Sequence, residues 1–89
     1  MFPDILDGAK VLFYSEKDNY GEIQSSDKSY DNVYCYLAIC KYSNDKQYYL
    51  FCCNENYEVV NDWLCDSVAE CKRGAAMAYK NDIVWYQIK

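Results

Sequence analysis

The stretch 33–54, VYCYLAICKYSNDKQYYLFCCN, decides the fold. From Val33 to Ser43 it alternates: Val33, Cys35, Leu37 and Ile39 fall on one side, and Tyr34, Tyr36, Ala38, Cys40 and Tyr42 on the other. That two-residue period is the signature of a strand. Asn44-Asp45 is a turn pair, and Lys46 to Asn54 reads as the returning strand, so the stretch predicts a long antiparallel hairpin. Its strands are apolar or aromatic on both faces, and a face left uncovered would be an unusually apolar patch for a monomer.

Working outward toward the N-terminus, Ala9 to Ser15 (AKVLFYS) has the β-branched and aromatic content of a strand, and Glu16 to Asn19 is a polar turn. Tyr20 to Gln24 is expected to return as a weaker strand, with the polar run Ser25 to Asn32 as a loop. Toward the C-terminus, Asn54-Glu55-Asn56 breaks the hairpin and Tyr57 to Cys65 reads as another strand.

After Asp66 the period changes. Ser67-x-x-Glu70 has the form of a capping box, in which the Ser67 hydroxyl accepts the Glu70 amide and the Glu70 carboxylate reaches back to the Ser67 amide. Val68, Cys71, Ala75, Ala78 and Tyr79 follow at helical spacing on one stripe. Gly74 interrupts that helix at a cost of about 1 kcal/mol against alanine, which is sensible where something packs closely. Asn81-Asp82 ends the helix, and Ile83 to Ile88 closes the chain as a strand. The expectation is one α+β domain over residues 1–89: an antiparallel meander sheet of four to six strands with one helix packed on one face, in the order β(β)βββ-α-β.

Composition narrows the function. Fourteen acidic residues against nine basic ones give a net charge of −5, which argues against binding nucleic acid or an anionic membrane by phosphate neutralisation. Histidine is absent, so hydrolytic triads, His-based metal centres and Cys/His nucleophile pairs each lack a required part. The three glycines are scattered and form no phosphate-cradling loop. Six cysteines (Cys35, Cys40, Cys52, Cys53, Cys65 and Cys71) contain no C-x-x-C pair and are irregularly spaced, unlike zinc ligands. They are expected to be small core residues, with Cys65 and Cys71, on either side of a helix start, as the candidates for redox chemistry. Met1 to Tyr14 lacks a basic leader and a cleavage site, and no apolar run approaches the ~20 residues of a membrane span. A cytoplasmic protein without cofactor or metal is expected.

Two groups of residues are candidates for partner contact. Tyr34, Tyr36, Tyr42 and Tyr48 are expected to share the hairpin face opposite Val33, Leu37 and Ile39, where tyrosine offers a large contact area with a polar tip. The alternative is a purely structural ladder of cross-strand rings. Glu55, Glu58 and Asp62, with Asp66 and Glu70, form an acidic group around the last sheet turn and the helix start. Such acids serve as cap and dipole partners or steer a basic partner. Trp63, Tyr79 and Trp85 are expected to be core anchors between helix and sheet. Catalysis by a carboxylate pair needs a cleft that so small a chain with one helix is ill equipped to build.

The C-terminal part, roughly Tyr48 to Ile88, resembles a broad group of small bacterial proteins that includes immunity proteins of contact-dependent and other polymorphic toxin systems. The resemblance is carried by a strand ending near Trp63, by Asp66-Ser67-x-x-Glu70-Cys71-Lys72, by small Ala75 and Ala76, by Tyr79, and by a closing strand with Trp85. It departs from the pattern at Cys71, where alanine is usual, and at Gly74. The resemblance implies a protein that binds a cognate toxin or effector, such as a basic nuclease, and blocks it. An inhibitor of a host defence protein encoded by a phage or mobile element, and a self-associating module with the tyrosine face as a homodimer contact, are the alternatives.

Overall fold

The structure is a computed structural model and describes residues 2–21 and 33–88. Among the described residues six strands and one helix follow in the order β1 (Ile5–Leu6), β2 (Ala9–Ser15), β3 (Tyr36–Lys41), β4 (Tyr48–Cys53), β5 (Val59–Cys65), α1 (Val68–Ala78) and β6 (Trp85–Gln87). All pairings are antiparallel, and β1 to β5 form a sheet in sequence order. The last strand returns to β2, whose free edge it shares with β1: β1 pairs with Ala9 and Lys10, β6 with Phe13 to Ser15. This is the expected α+β meander with a single helix.

The short strand β1 adds to those the sequence predicts. Asp7 and Gly8, both at positive φ (48° and 82°), form a two-residue connection between Leu6 and Ala9. An Asp-Gly pair suits such a turn, since both central residues must adopt left-handed backbone angles. The expected weak strand at Tyr20 is reduced to two backbone hydrogen bonds with Tyr34, at 2.9 and 2.8 Å; its remainder, 22–24, and the expected loop 25–32 lie outside the described residues.

Two bulges reassign side chains to faces. Val11 pairs with Cys40 but Phe13 with Ile39, so Leu12 is an extra residue in β2. Likewise Val59 pairs with Cys53 and Asn61 with Cys52, leaving Val60 extra in β5. Each insertion inverts the alternation beyond it. Leu37, Ile39, Leu50 and Cys52 then lie under α1 with Cys71 and Ala75, while Val11, Ala38, Cys40, Phe51 and Cys53 form a second core on the opposite face. That opposite face is not bare. Phe2 and Leu6 pack onto it, Phe2 stacking on Tyr14 at 4.6 Å and meeting Tyr36 and Tyr57 edge-on.

The helix begins as its sequence implies: Ser67 Oγ accepts the Glu70 N–H at 3.0 Å. The Glu70 carboxylate reaches back one residue further than expected, accepting from the Asp66 N–H at 3.3 Å rather than from Ser67. Tyr79 is the C-cap. Cys71 and Ala75 are fully buried, Val68 and Tyr79 pack beside them, and Ala78 is exposed rather than part of the buried stripe.

Candidate functional site

The four candidate tyrosines do not share a face. Tyr36 and Tyr42 lie on the face away from the helix. Tyr34 and Tyr48 pack instead with Leu37, Ile39 and Leu50 on the helix side. Two local causes account for this. The strand starts only at Tyr36, so Tyr34 precedes the alternation, and the hairpin register pairs Cys40 with Tyr49, not Tyr48. Tyr49 is the ring that joins Tyr42, with centroids 5.4 Å apart.

These rings are half-buried and occupied with one another. Tyr36 lies 4.9 Å from Tyr57 and 5.5 Å from Phe2, and Tyr34 meets Tyr79 at 5.7 Å. Desolvation, followed by the Tyr57 hydroxyl, pushes the Tyr36 phenol up to about 12. Tyr57 holds its ring there despite a φ of 63°, an uncommon conformation for an aromatic residue. It is supported by Asn54, whose Oδ1 accepts the N–H groups of Asn56 and Glu58 and whose carbonyl accepts that of Tyr57. The contacts on this side are those of a cross-strand aromatic ladder.

The acidic group sits elsewhere, around the outer strand β5. Glu58 accepts from the Asn54 side-chain amide at 3.0 Å, Asp66 from Gln47 at 2.9 Å, and Glu70 serves the helix cap. These three carboxylates therefore have structural partners. Those of Glu55 and Asp62 are exposed and, among the described residues, accept no hydrogen bond and form no ion pair. The ion pairs of the described residues lie at the far side, where Lys80 joins Asp18 and Glu16. Of the nearby cations, Lys72 is turned to the Phe13 ring, 4.3 Å from its centre.

Beside these acids the edge is apolar. Trp63 is 40% exposed and Leu64 54%, with Val60 and Met77 also open to solvent. Trp63 is thus not the buried anchor expected of it; one side meets Tyr79 at 5.9 Å and the rest faces out, because β5 ends the sheet. Tyr79 and Trp85 do pack against the core beneath the helix. Between β5 and α1 lies an open cavity of about 220 Å³ whose lining includes Trp63, Leu64, Gly74 and Met77, with Glu70 and Arg73 as its charged members. Gly74 does not accommodate a close neighbour among the described residues: a Cβ there would meet none of their atoms within 4 Å.

All six cysteines are buried. Burial pushes the Cys52 and Cys53 thiols up to about 11 and about 12, and raises Cys40 and Cys71 as well, the latter also through neighbouring Cys65. A thiol so shifted is protonated at neutral pH and a poor nucleophile. Cys52 Sγ donates to the Tyr79 hydroxyl at 3.2 Å. Among the described residues no cluster of three or more Cys, Asp or Glu is arranged to hold a metal ion, and no helix is long and apolar enough to cross a membrane.

Compared with protein-family models, curated proteins and solved structures, the chain matches none of them.

Proposed function

We propose that this chain is a protein-binding inhibitor that occludes a basic partner with the acidic, partly apolar surface around β5, most specifically as an immunity protein that neutralises a cognate toxin. The observation that carries the reading is the coincidence, at one sheet edge, of the unpartnered carboxylates of Glu55 and Asp62 with the exposed side chains of Val60, Trp63 and Leu64. An aromatic anchor among apolar neighbours supplies affinity, while surrounding charge steers encounter and selects a partner of opposite sign. Half-buried Tyr36 and Tyr42, engaged in ring contacts, lend themselves less to a contact surface than this edge does.

The test is co-expression with the product of the neighbouring gene, followed by charge reversal of Glu55, Glu58 and Asp62 together. The expected result is capture and neutralisation of that product by the wild type, with binding weakened at least tenfold in the triple variant. No binding by the wild type, or unchanged affinity after reversal, would remove the proposal.

A further inference from the structure

The same edge suggests how a partner is held, and the geometry points to strand addition: a basic, extended segment of the partner lies along the outer edge of β5 as a further strand and places one apolar side chain in the cavity over Gly74. This rests on the reading of the β5 surface given above and specifies its mode. Three observations support it. First, β5 pairs only with β4, and among the described residues nothing pairs with its outer edge. Beyond the Val60 bulge the outer edge of 61–65 therefore faces no neighbouring strand; its Asp62 N–H is held only by the adjacent Asn61 Oδ1 at 3.0 Å, a local contact that an incoming strand displaces in main-chain pairing of the kind edge strands give to extended peptides.

Second, charge selects the occupant. Asp62 stands in the middle of the strand, with Glu58 just before it and Asp66 just after. Antiparallel pairing with a second copy would bring these carboxylates against their own equivalents, and like charges facing across strands are destabilising. A segment with Lys or Arg at alternate positions reverses the sign of that interaction. The charge that rejects self-pairing thus favours a basic strand.

Third, Gly74 leaves space open on the helix. Glycine weakens a helix relative to alanine, and among the described residues nothing approaches the position closely enough to require it. It opens the cavity between Trp63 and Met77. At about 220 Å³ that cavity is below the size of sites for small organic ligands and suits a single side chain.

The experiment uses the full chain and a short synthetic peptide alternating lysine with leucine and valine. Two companion peptides carry glutamate for lysine, or N-methyl groups on alternate amides. Titration followed by amide hydrogen exchange is expected to show protection of 61–65 on adding the lysine peptide. Binding should weaken about tenfold or more with either companion peptide. Gly74→Leu, which fills the cavity from an open helix position, is expected to abolish peptide binding while the fold persists, and Gly74→Ala to weaken it less. Equal binding of the N-methylated peptide, absent protection of β5, or no binding of the lysine peptide would overturn strand addition. Failure of the β5 surface reading would appear separately, as an intact partner indifferent to the reversal of Glu55, Glu58 and Asp62.

Discussion

Ser15 is fully buried in β2, and its Oγ accepts the Leu37 N–H at 2.8 Å. The ladder between β2 and β3 has its last pair at Tyr14 and Ala38, so this hydroxyl continues the pairing where the backbones part. Ser15→Ala leaves a buried amide without its acceptor, a loss of about 1–3 kcal/mol. Urea denaturation should show the midpoint falling with an unchanged slope; an unaltered midpoint would mean that Leu37 finds another acceptor. Close by, Tyr20 is 2% exposed, and its hydroxyl donates to the Glu16 carbonyl. Its phenol is raised, mainly by desolvation. Together these two residues close the turn that leads away from β2.

At the scale of elements, α1 is an eleven-residue helix with no basic residue in its last turn, and an isolated helix of that length is marginal in water. Its stability comes from the cap and from docking Cys71 and Ala75 on the sheet. Ser67→Ala removes the hydroxyl that accepts the Glu70 N–H and should cost about 1 kcal/mol. The loss should appear in thermal melts and as faster hydrogen exchange in the first helical turn. If exchange there is unchanged, the Glu70–Asp66 contact is sufficient as a cap. The hairpin β3–β4 has its own device: Asp45 accepts the Gln47 N–H and the Tyr49 hydroxyl, both at 3.1 Å, which holds the connection without a two-residue turn.

For the whole molecule, opposing shifts define a pH window. Asp18 lies below its ordinary value of 3.8 because Lys80 and then the Asn19 N–H bind its carboxylate, and Asp45 because of the Gln47 N–H and then Tyr49. A carboxylate with a lowered folded pKa stabilises above its unfolded pKa, and that contribution disappears as pH falls through the folded value. Both sites are partly open to solvent, so the effect is modest. The buried thiols act at the other end. Their folded pKa values lie above the ordinary 9.0, so their contribution is complete below pH 9.0 and is lost as pH rises toward the folded values. Each thiol ionised only in the unfolded chain adds a slope of about 1.4 kcal/mol per pH unit. Denaturant midpoints are expected to be level near neutrality and to fall steeply above the thiol range. Cys52→Ala/Cys53→Ala should flatten the alkaline limb. An alkaline limb of the same steepness in that variant would remove Cys52 and Cys53 as contributors to it.

Short-range pattern in the sequence determined much of this protein. The β2 boundaries, the alternation from Tyr36 to Lys41, the strand ending at Cys65 and the Ser67 cap all follow from neighbours within a few residues, because strand period and helix capping are local properties of the backbone. The Asp7-Gly8 turn signal was present too, although the strand it serves has only two residues and too little pattern to read. The tertiary structure alone decided the rest: bulges at Leu12 and Val60, the return of β6 beside β1, the separation of Tyr34 and Tyr48 from Tyr36 and Tyr42, and the exposure of Trp63. Each depends on which distant segment pairs with which, and in what register. A shift of one residue moves a side chain to the other face of the sheet, so the surface around β5 became visible only once the strands were in place.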